Sequence, residues 1–309
     1  IWFTLCALPL VIPSYIGALT YVSAFSSKGL LVQLFRDRGL TEIAGIDGFI
    51  GSWIVLSLFT YPYVQLICSS ALKNLDVTVE EAARSLGKSR IQVYTSIVLP
   101  RLKKPIIFSG LLVGLYVISD FGAVSLMRYS TVTKAIYSYY IFKIDSDPVI
   151  FYSGLLIILA LALSVLQRST RLARSAAVSG TPRSARRQQV SFRNRFLIYL
   201  FLGSLVSLSL VLPISVLSYW LIRGLNAGNN VRTAFGGVWG SFTVSIATSL
   251  AAIVVATPVV IMVSQYRSRL GRIIERVMLA LYGLPHIAVG VSILFISIIS
   301  SLILFKIDE

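Results

Sequence analysis

The chain has 309 residues, of which 56% are hydrophobic and 13% are charged, and its mean hydropathy is +0.83. An ordinary soluble domain carries roughly 25% charged residues, so this composition excludes a soluble protein. The formal net charge of +16 would suggest nucleic-acid binding in a soluble chain. Here the basic residues lie in the loops between apolar stretches, and we expect no nucleic-acid partner.

Seven apolar stretches are long enough to cross a bilayer as helices, which takes about 20 mostly apolar residues each. The stretches are continuous, unlike the short alternating segments of a transmembrane barrel. The sequence therefore predicts an all-α, polytopic membrane protein with seven transmembrane helices. In chain order, the predicted spans are Ile1–Ala24, Ile46–Ala71, Pro105–Met127, Pro148–Leu166, Phe196–Ile222, Val238–Tyr266 and Val277–Phe305.

Most of the basic residues fall in three regions that alternate along the chain: residues 72–104, residues 167–195 and the turn from Arg267 to Arg276. Because positively charged loops stay in the cytoplasm, all three regions are predicted to face it. The loops between them mix basic and acidic residues and are predicted to lie outside.

Residues 167–195 hold eight arginines and no acid, a composition typical of a flexible, solvated linker that also lies favourably on anionic membrane lipid. This linker divides the chain into two helical blocks, residues 1–166 and 196–309. The pattern L-x-x-L-P occurs at Leu5–Pro9 and again at Leu281–Pro285, which indicates a parallel internal repeat.

The first cytoplasmic loop, residues 73–104, has the pattern of two short helices around a glycine. Thr78 and Glu81 have the spacing of a capping box, which predicts a helix start at Thr78. Gly87 is a natural left-handed terminator, and Ser89 is placed to cap the second helix. Ile91, Tyr94 and Val98 would form one apolar stripe on that helix, which is predicted to end at Leu99-Pro100. The loop therefore predicts a rigid cytoplasmic protrusion fixed to membrane helices at both ends.

The same residues resemble the EAA loop of permeases from binding-protein-dependent ABC importers. In that family the loop forms a coupling helix that sits in a cleft of the nucleotide-binding subunit. The resemblance implies a multi-pass protein of the bacterial inner membrane, with a dimer of ATP-binding subunits and an extracytoplasmic solute-binding protein as partners. The residues that it implies for ATPase coupling are Glu81, Ala82, Ala83, Gly87, Ile97, Leu99 and Pro100.

Flanking motifs resemble the ferric-iron branch of these importers, whose permeases are fused two-repeat chains. The motifs are Tyr61-Pro62-Tyr63, Ser119-Asp120-Phe121-Gly122 and Thr133-Lys134-Ala135-Ile136-Tyr137. Thiamine, phosphonate and polyamine importers are close relatives and remain alternatives. The family implies two coupling helices, so we expect the parent chain to continue beyond Glu309 with a second EAA loop.

Asp120 is the only acidic residue well inside a predicted span, a position that is costly unless the carboxylate faces protein or water. It could line a translocation path, together with Tyr63 and Phe121, or it could hydrogen-bond the end of a neighbouring helix. One carboxylate without nearby histidine or acid does not make a selective iron site, so we expect no bound metal and no cofactor.

His286 is interpreted as a helix-packing residue, and Cys6 and Cys68 as free thiols.

Three functional classes fit a polytopic chain: a permease driven by a separate ATPase, an ion-coupled secondary transporter, and a membrane-embedded enzyme. The chain lacks the G-x-x-x-x-G-K-[ST] phosphate loop, so ATP hydrolysis is expected on another subunit. A secondary transporter usually carries several intramembrane acids, and an enzyme would need more candidate catalytic groups than one histidine offers. The EAA pattern favours the permease.

Overall fold

The computed structural model describes residues 1–26, 29–35, 45–73, 77–141, 146–171, 192–228 and 232–265, with residues 273, 274, 289, 290 and 293. All regular structure in this part of the chain is helical, which confirms the all-α prediction. The helices are α1 Trp2–Ala7, α2 Ser14–Phe25, α3 Leu30–Phe35, α4 Gly48–Lys73, α5 Val77–Ser85, α6 Arg90–Val93, α7 Leu99–Ser119, α8 Gly122–Leu126, α9 Val132–Ile141, α10 Ser146–Arg171, α11 Phe192–Val206, α12 Leu212–Asn226 and α13 Arg232–Gln265.

Five helical segments of the described chain are long and apolar enough to cross a membrane, so the prediction of seven spans is confirmed only in part. A bent pair, Trp2–Val11 with Ser14–Gln33, would make a sixth. The predicted span Val277–Phe305 lies outside the described residues except at three positions. The five segments are Gly48–Lys73, Arg90–Ser119, Asp147–Gln167, Arg193–Asn226 and Phe235–Met262.

The first predicted span is not one straight helix, because its two halves meet at an angle of 92°. A 3-10 turn, Leu8–Val11, follows α1, and Ile12 then has an extended backbone with φ −89° and ψ 114°. Proline disfavours the helical conformation in the residue before it, so Pro13 explains the extended Ile12. The prediction of a continuous helix over Ile1–Ala24 was therefore wrong at these residues.

The prediction that a helix ends at Leu99-Pro100 was also wrong, because α6 continues through a π turn, Tyr94–Val98, into α7. The Leu99 amide donates to the Tyr94 carbonyl, five residues back. A proline ring clashes with the carbonyl four residues before it in a regular helix, and the wider turn relieves that crowding at Pro100. A second π turn, Ser207–Val211, precedes Pro213 in the same way.

The third predicted span, Pro105–Met127, is interrupted near its outer end. The helix α7 ends at Ser119, Asp120 has an extended backbone with ψ 127°, and the short helix α8 follows. The side chain and the carbonyl of Asp120 both accept hydrogen bonds at this break, as the next subsection describes, so the polar groups of Asp120 are paired where the helix ends. Hydropathy did not indicate the break, because the residues on both sides of it are apolar.

A hydrophobic core holds α2, α4 and α8 together. Its buried members are Ala18, Tyr21, Val55, Leu56, Phe59, Ala123, Val124 and Met127. Gly17 allows a close approach of α2 to α4, because a Cβ placed there would lie 2.3 Å from the Phe59 ring. Gly122 does the same between α8 and α2, where its Cβ would lie 2.7 Å from the Cβ of Tyr15. The small residues therefore position the broken end of α7 against α2.

Gly122→Ala should lower the stability of the full-length protein by about 1–3 kcal/mol, the usual cost of overpacking a core. Gly110→Ala is the matched control, because nothing lies within 4 Å of a Cβ at that position of α7. Alanine there should stabilise the helix by roughly 0.5–1 kcal/mol. Thermal unfolding of both purified variants in detergent measures the difference, and equal midpoints would contradict the close packing of α8 on α2.

The described chain divides into two compact units, a larger one that contains Ile1–Ile214 and a smaller one that begins at Ser215. The helix α10 continues to Arg171 and α11 begins at Phe192, so most of the predicted linker lies outside the described residues. The division into a first repeat, a linker and a second repeat stays a prediction.

Candidate functional site: the cytoplasmic protrusion and the Asp120 network

Residues 77–98 form a helical element that follows the candidate span Gly48–Lys73 and includes the first turns of the next one, Arg90–Ser119. Loop charge predicts that this element lies on the cytoplasmic side, and we name it the cytoplasmic protrusion. Gly87 has φ +81°, which confirms the predicted left-handed turn after α5. Ser89 caps α6 in a complete capping box: Ser89 Oγ accepts from the Gln92 amide, and Gln92 Oε1 accepts from the Ser89 amide. The cap predicted from the sequence at Ser89 is thereby confirmed.

The capping box predicted at Thr78 and Glu81 was wrong. The helix α5 begins at Val77, so Thr78 lies inside it, whereas an N-cap residue must lie outside. In the sequence the residue before Val77 is Asp76, a type that is favoured at N-caps, and it lies outside the described residues. Glu80 forms an ion pair with Arg84, with 3.8 Å between Oε2 and Nη2, and Glu81 is left exposed.

The residues predicted for ATPase coupling fall into two groups. On α5 and in the turn after it, Glu81, Ala82 and Gly87 are exposed, whereas Ala83 is buried with 7% exposure. The others follow Tyr94 on the π turn and the first turn of α7: Ile97 is half-buried, and Leu99 and Pro100 are exposed. The structure therefore presents most of this set at the surface and turns Ala83 inward.

Three large apolar side chains of the protrusion are exposed as well. Leu86 is 83% exposed, Ile91 76% and Tyr94 52%. The sequence indicated an apolar stripe of Ile91, Tyr94 and Val98, but Val98 is buried and Leu86 was not predicted. A helix-terminating glycine next to an apolar residue was the available signal, because a residue at such a turn has few neighbours to pack against. The protrusion thus carries an exposed apolar surface beside Glu81.

Asp120 is the centre of a hydrogen-bond network at the break between α7 and α8, which we name the Asp120 network. Ser14 Oγ donates to Asp120 Oδ2 at 2.5 Å, and Tyr116 OH donates to Ser14 Oγ at 2.9 Å. The Ala123 amide donates to Asp120 Oδ1 at 2.9 Å, and Thr133 Oγ1 donates to the Asp120 carbonyl at 3.0 Å. Of the two interpretations of Asp120, the structure shows the hydrogen bond to a neighbouring helix end, since Ser14 begins α2.

Aromatic rings surround this network. The rings of Tyr63 and Tyr116 have centroids 6.0 Å apart, and those of Phe121 and Tyr137 are 4.5 Å apart. Tyr63 is thereby connected to Asp120 through Tyr116 and Ser14, and Phe121 follows Asp120 in the chain. Sequence reasoning missed Ser14 and Tyr116, because a serine at a proline-preceded helix start gives no sign of its distant partner.

The remaining sequence predictions concern the two cysteines, metal binding, His286 and the repeat motif. Cys6 is buried and Cys68 half-buried, and both are unpaired. Among the described residues, no group of three or more His, Cys, Asp or Glu side chains could hold a metal ion. His286 and the repeat at Leu281–Pro285 lie outside the described residues.

Comparison with known proteins gives matches over the region that contains both sites. Residues 1–178 match the family described as binding-protein-dependent transport system inner membrane component. The Fe(3+)-transport system permease protein FbpB 2 of Haemophilus influenzae is 28% identical over 94% of this chain and 55% of its own length. The putrescine transport system permease protein PotI of Escherichia coli is 33% identical over 34% of each chain.

The sulfate transport system permease protein CysT of Salmonella typhimurium is 29% identical over 38% of this chain and 41% of its own length. The chain thus spans about half the length, or less, of these three relatives. No solved structure gives a significant match.

Because the family match covers more than half of the chain, the chain belongs to the binding-protein-dependent ABC permeases, as a multi-pass inner-membrane component and not an enzyme.

Proposed function

We propose that this chain is part of the membrane-spanning permease of an ATP-driven importer, and that its cytoplasmic protrusion receives the motion of a separate ATPase. The observation that carries the proposal is the exposed apolar surface of Leu86, Ile91 and Tyr94 on an element joined to a candidate span without a helix break. The segment Arg90–Ser119 has 30 residues, about 45 Å of helix, so its first turns can extend beyond a hydrocarbon core of about 30 Å. Exposed apolar patches outside the hydrocarbon typically mark protein interaction sites.

The charge of the protrusion supports the same proposal. From Ala82 to Ser119 the sequence contains no acidic residue, so Glu81 is the last negative charge before a basic region. A partner cleft that binds the protrusion would combine apolar contacts at Leu86 and Ile91 with a charge contact at Glu81. Because α6, the π turn and α7 form one helical segment, a shift of the protrusion would reach α7 directly.

Ferric iron is the proposed cargo, delivered by an extracytoplasmic binding protein. The support is the relative FbpB 2, whose name states Fe(3+) transport and whose alignment covers most of this chain. Other relatives are named for putrescine and sulfate, but they align with smaller parts of the chain. Thiamine, phosphonate and polyamines are the alternative cargoes.

We further propose that Tyr63, Asp120 and Phe121 lie along the translocation path. Asp120 ends α7, the same helix to which the protrusion is joined. A movement of the protrusion would therefore act on the hydrogen bonds between Asp120, Ser14 and Tyr116. Alternating access would arise as those bonds break and re-form while the helices tilt.

The proposal is tested by uptake in cells that produce the full-length permease with its ATPase and binding protein. Radiolabelled Fe³⁺ should accumulate, and excess thiamine, phosphonate or putrescine should not compete. Uptake should stop when ATP is depleted and persist when an ionophore dissipates the ion gradient. Uptake that collapses with the gradient while ATP is intact would instead identify a secondary transporter. ATP-dependent uptake of another cargo would refute the proposal of iron as the cargo and leave the proposal of an ATP-driven permease intact.

A further inference from the structure

Two basic side chains lie at helix ends that loop charge predicts to be cytoplasmic, one on each helix that contacts α1, and each lies over an aromatic ring. Lys73, the last residue of α4, has its Nζ 4.8 Å from the centroid of the Phe3 ring. Arg195, near the start of α11, has its Cζ 5.5 Å from the centroid of Tyr199, and its Nε donates to Tyr199 OH at 3.2 Å. We name Lys73 and Arg195 the α1 cation pair.

The short helix α1 joins the two halves of this arrangement. Trp2 stacks on Tyr199 with ring centroids 5.6 Å apart, so α1 is fixed to α11. The carbonyl of Phe3 accepts from Gln65 Nε2 at 3.3 Å, which fixes α1 to α4. Consecutive residues of one helix thus contact different neighbours. Lys73 and Arg195 therefore lie on the two helices, α4 and α11, that contact α1.

Neither member of the cation pair has an ion-pair partner within the described part of the chain, where the single salt bridge joins Arg84 and Glu80. Both side chains are exposed. An aromatic ring does not neutralise the positive charge of a side chain that lies over it. A cation with no acidic partner therefore still attracts an anion that is not part of the chain.

The residues beside the pair place it at the edge of the hydrocarbon. Leu72 is 44% exposed next to Lys73, and Phe196 and Leu197 are 60% and 55% exposed next to Arg195. Exposed apolar residues of this size on a candidate span contact lipid tails, and aromatic rings such as Trp2 and Tyr199 are typical of the boundary. These neighbours predict that the cations lie at the level of the phospholipid phosphates.

We propose that the α1 cation pair binds the headgroup of an anionic phospholipid at the cytoplasmic surface. Basic pockets between transmembrane helices on this side of a membrane suit such headgroups. The lipid would bridge α4 and α11 across α1, and so connect helices of the two predicted repeats. The proposal depends on the orientation of the helices and is independent of the transported cargo.

The test measures lipid retention by the full-length permease in nanodiscs that contain phosphatidylglycerol and phosphatidylcholine. Native mass spectrometry gives the ratio of the two lipids that remain bound. Lys73→Gln and Arg195→Gln should each lower this ratio about fivefold, and the double variant roughly 25-fold, from the usual contribution of one basic residue at an anionic surface. Lys73→Arg keeps the charge and should retain the lipid.

Arg223→Gln is the matched control. Arg223 has its Cζ 5.4 Å from the Trp220 ring centroid and donates to Tyr219 OH at 3.1 Å, so its local chemistry is that of Arg195. It lies at the opposite end of the candidate span Arg193–Asn226 and should not affect the ratio. An unchanged ratio in the double variant, or an equal fall in Arg223→Gln, would overturn the proposal. An ATPase pull-down is done with the same double variant. If this variant retains the lipid but no longer binds the ATPase, the two cations belong to a protein docking surface instead.

Discussion

Gly87→Val should lower ATP-driven uptake by roughly 5–30-fold while the full-length protein still inserts into the membrane. Gly87 has φ +81°, and a residue with a Cβ pays about 1–2 kcal/mol in the left-handed region, a factor of roughly 5–30 in population. A β-branched valine is at the costly end of this range. The turn between α5 and α6 would shift, and Glu81 and Leu86 would no longer meet the same partner surface.

The matched control is Gly228→Val, since Gly228 has φ +78° and also has open space around it. It follows α12, far along the chain from the protrusion, so it should cost similar backbone strain without uncoupling transport. Uptake and ATPase pull-down are measured for both variants. Normal uptake by Gly87→Val, or equal losses in both, would refute the role of the protrusion in coupling.

Glu81→Lys tests the charge of the same surface. Glu81 is exposed and does not take part in the ion pair between Glu80 and Arg84. Charge reversal there should therefore weaken ATPase binding without affecting folding. Glu80→Lys is its companion, because it removes a surface ion pair worth about 0.3–0.5 kcal/mol and should leave ATPase binding nearly unchanged. Reversed effects of the two variants would move the contact from Glu81 to Glu80.

The second large effect is expected at Asp120. Asp120→Ala leaves the Ser14 hydroxyl and the Ala123 amide without their acceptor, and each unpaired buried group costs about 1–3 kcal/mol. We therefore expect a strong fall in the thermal unfolding midpoint and in the amount of folded protein.

Asp120→Asn separates the structural role of this residue from its charge. The amide oxygen can accept from the Ala123 amide, and the amide nitrogen can donate to Ser14 Oγ. The Ser14 hydroxyl can then turn and donate to Tyr116 OH, which is 2.9 Å away, so folding should be preserved. If Asp120 also lies along the path of a cationic cargo, uptake by this variant should still fall. Wild-type uptake by Asp120→Asn, together with a destabilised Asp120→Ala, would leave Asp120 only its role at the helix end.

Hydropathy was sufficient to predict the helical class and the position of most spans. The predictions that failed depend on backbone detail that composition does not carry. The apolar residues on both sides of Asp120 predict one continuous span. The helix nevertheless ends at Ser119, and Ser14, Ala123 and Thr133 donate hydrogen bonds to Asp120 at this break. Likewise, Pro100 was interpreted as a helix end, but a π turn accommodates the ring and the helix continues.

The local chemistry of the protrusion was more predictable than its tertiary contacts. A glycine after a short helix and a serine before the next one specify a turn and a cap within a few residues, and both were found at Gly87 and Ser89. The pairing of Ser14 with Asp120 spans 106 residues of sequence, and no local pattern signals it. The same holds for the contact of Trp2 with Tyr199, which exists only because α1 packs on α11.

The central claim is that the protrusion is a cytoplasmic docking site for the ATPase, and the accessibility of Leu86 tests it most directly. Leu86→Cys is prepared in the full-length protein with Cys6→Ala and Cys68→Ser, beside Ser130→Cys on a predicted outer loop where the side chain is exposed. An impermeant maleimide should label Leu86→Cys only from the cytoplasmic face, and bound ATPase should protect it. Ser130→Cys should react only from outside, with or without ATPase. Labelling of Leu86→Cys in intact cells, or equal labelling with and without bound ATPase, would contradict the claim.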